Sequence, residues 1–152
     1  MKTARRSTLK KMFASFVGLA GIGIATKANT TEEKTTGNVV NFQNVPLVAG
    51  HTKHGNLVYL SGRHPSREPR TIENHTDLAL KAIETELENA GSSMEKVLKV
   101  TVFLDDIANF DAMNEVYRGR FGANPPCRST VAVAKGGIPG NSLIQIDCIA
   151  YI

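Results

Sequence analysis

The pattern of apolar and polar residues predicts a run of strands and helices from residue 39 onward. Five short segments alternate or are continuously apolar, which is typical of strands. Two longer segments have apolar residues every three or four positions, which is typical of helices with one buried face. The predicted strands are 39–42, 57–61, 97–104, 128–134 and 143–151, and the predicted helices are 78–90 and 107–121. This order predicts an α+β domain with two helices on one face of a mixed sheet.

Glycine and proline residues predict how these strands are connected. Pro46, Gly50 and Gly55 predict a loop between the first two strands, and residues 135–141 predict a hairpin turn between the last two. The two helices leave one face of the sheet uncovered, which favours an oligomer.

The first 28 residues differ in composition from the rest of the chain. Residues 4–10, Ala-Arg-Arg-Ser-Thr-Leu-Lys, precede the apolar stretch 12–25, as in a twin-arginine (Tat) signal peptide. Ala25 and Ala28 mark two equally plausible cleavage sites. The stretch is shorter than the roughly 20 apolar residues that span a bilayer, so a permanent anchor is the weaker alternative. We therefore expect membrane contact only during Tat export, followed by a periplasmic location.

Removing the signal peptide changes the charge of the protein. Residues 29–38 are polar and predict a disordered linker, and 39–152 predict a single domain. Residues 1–28 contain six Lys and Arg and no acid, so their loss takes the formal net charge from +4 to −2. Binding to a phosphate backbone depends on clustered basic residues, and the remaining chain has none. We therefore expect no nucleic-acid partner.

Arg128 is the most informative single residue. It stands at the start of an apolar strand, after Pro125 and Pro126. A guanidinium is costly to bury unless an anion meets it, and its planar fork fits a carboxylate with two parallel hydrogen bonds. The residue therefore indicates either an internal salt bridge or a site for a small carboxylate ligand.

Several separate segments resemble the RidA/YjgF family of reactive-imine deaminases, once labelled endoribonuclease L-PSP. They lie in the family's order at 57–62, 101–106, 110–117, 125–134 and 144–150, within a resemblance that spans roughly 39–152. The resemblance implies a chorismate-mutase-like fold and homotrimers, with sheets packed into a central barrel and sites in the clefts between subunits. No cofactor is expected.

The resemblance also implies roles for individual residues. Arg128 matches the arginine that clamps the substrate carboxylate, and Ser61 and Gly62 match a turn that lines the site. Asn114 and Thr130 match further positions around the cleft. In the family reaction, water attacks the C=N carbon of a 2-imino acid, which gives a 2-keto acid and ammonia.

Three positions, Gln145, Val48 and Arg63, depart from the family pattern. Gln145 stands where active deaminases usually carry a glutamate, and an amide can orient water but cannot accept its proton. Asp147 shares a strand face with Gln145 and could supply a carboxylate. Val48 falls about where a tyrosine is expected. Arg63 replaces a usual glutamine, so it either adds a second cation for a larger acidic ligand or points into water.

The histidines and cysteines give weaker signals. His51 and His54 lack the neighbouring ligands of a typical zinc site, so no metal is expected. Cys127 and Cys148 would lie nearly opposite each other in the predicted hairpin, although two separate thiols are the favoured interpretation.

Three functions fit these residues. The first is an exported imine deaminase that uses Arg128 and a water held by Gln145 or Asp147. The second is a non-catalytic protein that binds a small carboxylate metabolite. The third is an interaction role of the trimer surface, for which no residue gives positive support.

Overall fold

The computed structural model describes residues 32–152, which form one unit of six strands and two helices. The predicted signal peptide lies outside the described residues. The strands are β1 (Thr35–Phe42), β2 (Val45–His54), β3 (Leu57–Arg63), β4 (Val97–Leu104), β5 (Cys127–Ala132) and β6 (Ile144–Tyr151). The helices are α1 (Ile72–Asn89) and α2 (Phe110–Tyr117), and 3-10 turns cover Met94–Lys96, Ile107–Asn109 and Pro139–Asn141. No helix within 32–152 is long and apolar enough to cross a bilayer.

The six strands form one mixed sheet in the order β1-β2-β3-β6-β4-β5. All neighbouring strands are antiparallel except β4 and β5, which are parallel. The core lies between one face of this sheet and the two helices, where every second residue of β6, and of β4 from Val100 onward, is buried. The predicted α+β class, with both helices on one face of a mixed sheet, is confirmed.

The N-terminal part of the sheet contains a strand that the sequence did not predict. Residues 45–54 were expected to form a loop, but they form β2 between β1 and β3. Pro46 is tolerated because it lies near the strand end, beside a register shift between Val40 and Asn41. Residues 35–38, which were expected to be disordered linker, pair with β2 as part of β1.

The predicted hairpin between the last two strands is wrong, because β4 lies between β5 and β6. Arg128 of β5 pairs with Val100 of β4, and the other side of Val100 pairs with Cys148 of β6. The connection through α2 returns the chain parallel to β4, as a crossover between parallel strands requires. Cys127 and Cys148 are therefore two strands apart, roughly 10 Å, and both are free thiols. Burial raises the pKa of the Cys148 thiol to about 12.

Candidate functional site

Arg128 lies on edge strand β5 and directs its side chain towards helix α2. Its guanidinium carbon is 4.5 Å from the ring centre of Tyr117 and 5.6 Å from that of Phe110. Its Nη1 atom is 4.0 Å from the sulfur of Met113, which is a weak acceptor. The residues at 110, 113 and 117 share one face of α2, so the helix gives the cation an aromatic and thioether bed.

No carboxylate among residues 32–152 neutralises Arg128. Among residues 32–152 the ion pairs involve other side chains, and none of the hydrogen bonds there joins Arg128 to a carboxylate or carbonyl oxygen. Of the two interpretations of this residue, the internal salt bridge is therefore not found in the described part of the chain. The N–H groups of the guanidinium that can form two parallel hydrogen bonds therefore remain available to an anionic ligand.

Two buried hydroxyl groups accompany Arg128. Thr130 lies two residues further along β5 and therefore on the same face, and neither its hydroxyl nor that of Tyr117 has an acceptor among the described residues. Burial raises the pKa of Tyr117 to about 12, although the charge of Arg128 and a hydrogen bond from its side chain act in the opposite direction. The phenol is therefore protonated at neutral pH and can donate. Asn114 shares α2 with Tyr117, one turn before it, and is partly buried.

Ser61, Gly62 and Gln145 meet on the opposite face of the sheet. Ser61 Oγ donates to the carbonyl oxygen of Ala49 at 2.6 Å. A Cβ atom at position 62 would lie 2.5 Å from Gln145 Nε2, so a larger residue there would displace the glutamine side chain from its present position. The family resemblance places Gly62 in a turn that lines the site, and in the structure its close neighbour is Gln145.

Asp147 lies on the same face as Gln145, two residues further along β6. Burial raises the pKa of its carboxyl group above the usual range, and the effect is partly offset by a hydrogen bond from Thr101 and the charge of Lys99. A carboxylate with a raised pKa is a better proton acceptor than an ordinary aspartate. Asp147 is thus the basic group nearest in sequence to the glutamine that replaces the family's glutamate.

A groove of about 400 Å³ opens beside Ser61 on this face. It is lined by Lys34, Thr36, Val39, Pro46, Leu47, Val48, Ala49, Thr52 and Ser61. Val48, at the position where the resemblance expects a tyrosine, gives this groove an apolar wall. The groove therefore combines an apolar wall with the polar side chains of Lys34, Thr36, Thr52 and Ser61.

Arg63 takes part in a buried polar cluster on the helix side of the sheet. The register of β3 shifts between Leu60 and Arg63, which turns the Arg63 side chain towards α1. Its Nη2 atom lies 2.7 Å from Glu86 Oε2, an ion pair by distance whose angle falls outside hydrogen-bond geometry. The second cation is thus neutralised by a carboxylate of the chain, and this geometry does not support the prediction that Arg63 binds substrate.

Glu86 is the centre of this cluster, which we call the Glu86 cluster: Asn38, His51, Arg63 and Glu86. His51 Nδ1 lies 2.7 Å from Glu86 Oε1, and Asn38 Nδ2 donates to both carboxylate oxygens at 2.9 Å. Burial opposes ionisation of Glu86, but the hydrogen bonds from His51 and Asn38 with the charge of Arg63 hold its pKa below the usual range. The cluster joins β1, β2 and β3 to α1.

The predicted site residues fall into two sets on opposite faces of the sheet. Set one, Asn114, Arg128 and Thr130, lies on the helix side, where Arg128 pairs with buried Val100. Set two, Ser61, Gly62 and Gln145, lies on the uncovered side, where Gln145 pairs with partly exposed Phe103. A single chain therefore does not bring the two sets into one cleft.

Phe110 and Tyr117 were not predicted as site residues. Both belonged only to a predicted helical stripe and to a segment of the family resemblance. Aromatic residues seven positions apart on one helix face are a common sign of core packing. One signal could have identified them. Arg128 stands at the start of a strand and has no predicted carboxylate partner, so aromatic residues of the preceding helix are candidate neighbours for its cation.

Comparison with known sequences identifies the family. Residues 43–152 match the family described as Endoribonuclease L-PSP. The chain belongs to this family. A protein of Arabidopsis thaliana named Reactive Intermediate Deaminase A, chloroplastic, is 30% identical over 174 residues, which cover 100% of this chain and 92% of that protein. The mitochondrial protein mmf2 of Schizosaccharomyces pombe is 42% identical over 105 residues, or 64% of this chain and 82% of that protein.

Solved structures show the same L-PSP fold. Rv2704 of Mycobacterium tuberculosis, from the YjgF/YER057c/UK114 family, is 27% identical with a TM-score of 0.68, over 79% of this chain and all of that one. Yeast Mmf1 is 26% identical with a TM-score of 0.68, over 78% of this chain and 98% of that one. The resemblance to the RidA/YjgF family is thus confirmed, and a general RidA-family role follows from it.

Proposed function

We propose that this L-PSP family member is an exported imine deaminase that hydrolyses small 2-imino acids to 2-keto acids and ammonia. The observation that carries the proposal is Arg128, a partly buried cation on an aromatic bed with no carboxylate partner in the described chain. Its fork fits the carboxylate that every 2-imino acid carries. The Arabidopsis relative, whose name includes a deaminase, supports the same chemistry.

The reaction requires positioning more than strong chemical activation. With the substrate carboxylate on Arg128, water adds to the electrophilic C=N carbon, and its proton passes to a base and then to the nitrogen. The tetrahedral intermediate expels ammonia and leaves the keto group. Gln145 can orient the water through its amide oxygen, and Asp147, with its raised pKa, can accept the proton.

The proposed site is built from two copies of the chain. Arg128 and Gln145 lie on opposite faces of one sheet, so a cleft that contains both needs set one of one copy and set two of the next. The uncovered face also presents large apolar side chains to solvent, among them Tyr59, Val131 and Tyr151. Such a face favours association between copies, and a ring of three would use each surface once.

A second candidate function is carboxylate binding without catalysis. The replacement of the usual glutamate by Gln145 favours it, because an amide cannot accept a proton. This candidate keeps Arg128 as the receptor of a keto acid and removes the hydrolytic step. Both functions require binding of a carboxylate ligand, but only the deaminase converts its ligand to a product.

Imine turnover tests the proposed function. An amino-acid oxidase generates 2-iminopropanoate or 2-iminobutanoate, semicarbazide traps what remains, and the chain is expected to accelerate imine loss. The variant Gln145→Glu restores a proton acceptor beside Gly62 and is expected to be at least about tenfold faster, since general base catalysis typically contributes more than that. Folded protein that binds keto acids and leaves the rate of imine loss unchanged would favour the binding function.

Export is the second part of the proposal, and residues 4–10 support it. We expect the protein in the periplasmic fraction of a Tat-competent bacterium, with its new N-terminus after Ala25 or Ala28. Replacement of Arg5 and Arg6 by lysine should leave the uncleaved chain in the cytoplasm, because the Tat pathway recognises the arginine pair. Cell fractionation with N-terminal sequencing checks this, and periplasmic protein from the lysine variant would contradict a Tat route.

A further inference from the structure

The side chain of Tyr117 is held more firmly than a surface tyrosine would be. Its ring lies under the Arg128 guanidinium, with 4.5 Å between the ring centre and Cζ. The Phe121 ring packs on it at a centroid distance of 5.0 Å and an interplanar angle of 41°. Two neighbours therefore fix the ring and with it the position of the hydroxyl oxygen.

The Tyr117 hydroxyl is buried, its oxygen lies beside the Arg128 side chain, and its hydrogen has no acceptor among the described residues. A buried hydroxyl without a partner destabilises a fold, so a phenylalanine would suit this position better if the ring alone mattered. The Arg128 side chain attracts the lone pairs of the hydroxyl oxygen, which leaves the O–H bond free to donate to an anion beside the guanidinium. The group is therefore a donor whose acceptor must come from outside the residues described.

Thr130 repeats this situation on the same side of the sheet. Its Oγ1 atom is also buried without a partner, two residues beyond Arg128 on β5. One cation and two unsatisfied hydroxyls in one neighbourhood, with no carboxylate among them, form a set of donors that matches an anion carrying several oxygen atoms.

We propose that Tyr117 is a specificity-determining binding residue whose hydroxyl donates a hydrogen bond to the ligand carboxylate held by Arg128. The two donors would fix the rotation of the carboxylate plane, which Arg128 alone fixes less firmly. Ligands of the proposed class, small 2-oxo and 2-imino acids, carry this carboxylate directly beside the reacting carbon. This inference rests on the proposed function for the class of ligand, and it concerns binding, not hydrolysis.

Calorimetric titration of the full chain with 2-oxobutanoate, a stable product analogue, tests the inference. The variant Tyr117→Phe keeps both ring contacts and removes only the hydroxyl. We expect it to bind 2-oxobutanoate at least about tenfold more weakly, as befits one hydrogen bond to a charged acceptor. We also expect the melting temperature of the ligand-free variant to rise by a few degrees, because an unsatisfied buried hydroxyl is gone.

Weaker ligand binding together with a higher melting temperature distinguishes a role of the hydroxyl in ligand recognition from a structural role. Tyr117→Leu, which removes the ring as well, should lower both the affinity and the melting temperature. Equal affinity of Tyr117→Phe and the parent chain would overturn the inference and leave the proposed function intact. A lower melting temperature of ligand-free Tyr117→Phe would also overturn it, since the hydroxyl would then have a partner in the protein or a neighbouring copy. Absence of 2-oxobutanoate binding by the parent chain would reject both the inference and the proposed function.

Discussion

Replacement of Glu86 by leucine is expected to lower the free energy of unfolding by about 3–5 kcal/mol, the usual cost of removing one partner from a buried ion pair. The carboxylate meets His51, Asn38 and Arg63 at 2.7–2.9 Å, and its side chain is 7% exposed. Without it, the partly buried cation of Arg63 and two polar groups lose their common partner. Gly50 allows this approach, because a Cβ there would lie 2.5 Å from Glu86 Oε1.

Chemical denaturation measures the effect, and helix α1 supplies a matched control. Glu84 lies two residues earlier on α1 and is exposed. Glu84→Leu should change the free energy of unfolding by less than about 0.5 kcal/mol, as is usual for exposed positions. If both variants were equally stable, the Glu86 cluster would not hold the N-terminal strands to the helix.

The same carboxylate predicts how stability depends on pH. The folded-state pKa of Glu86 lies below its ordinary value of 4.5, so the ionised form favours folding. This contribution is fully present above pH 4.5 and is lost as the pH falls through the lowered folded-state pKa. Denaturation at a series of pH values from 7 to 3 should show a steeper loss for the parent chain than for Glu86→Leu. Parallel pH profiles would contradict this assignment.

Local sequence patterns predicted the parts of the fold that local physics determines. The helical stripes gave α1 and α2, and β-branched alternation gave β4 and β6. Strand β2 was not predicted because Pro46 and Gly50 are typical of loops. Gly50 is required there by a contact with Glu86, 36 positions away in sequence, which no local pattern contains.

Topology and side-chain direction were harder to predict than element type. A glycine-rich turn between two strands usually indicates a hairpin, yet β4 lies between β5 and β6. The register shift in β3 turned Arg63 towards α1, and strict alternation cannot predict such a shift. The importance of Arg128 followed from its chemistry alone, whereas its aromatic bed depends on how α2 packs.

Replacement of Arg128 by leucine is expected to lower kcat/KM for imine hydrolysis by at least about a hundredfold. Two hydrogen bonds to a carboxylate are lost, and each bond to a charged group contributes about 1.5–3 kcal/mol. The free energy of unfolding should stay the same or increase, because no carboxylate of the described chain depends on this cation. Arg118→Leu is the control, since Arg118 is exposed and paired with Glu115. A variant with full turnover would reject Arg128 as the carboxylate receptor.

Mixing two inactive variants tests whether each site draws on two copies. In a ring where Arg128 of one copy meets Gln145 of the next, co-refolded Arg128→Leu and Gln145→Leu chains contain some clefts with both native residues. Random assembly in equal amounts makes about one cleft in four intact, so turnover should recover to about a quarter of the parent rate. Light scattering should give the mass of three chains for the mixture. Because Arg128 and Gln145 face opposite sides of one sheet, a mixture that stays inactive would mean that the two residues do not share a site.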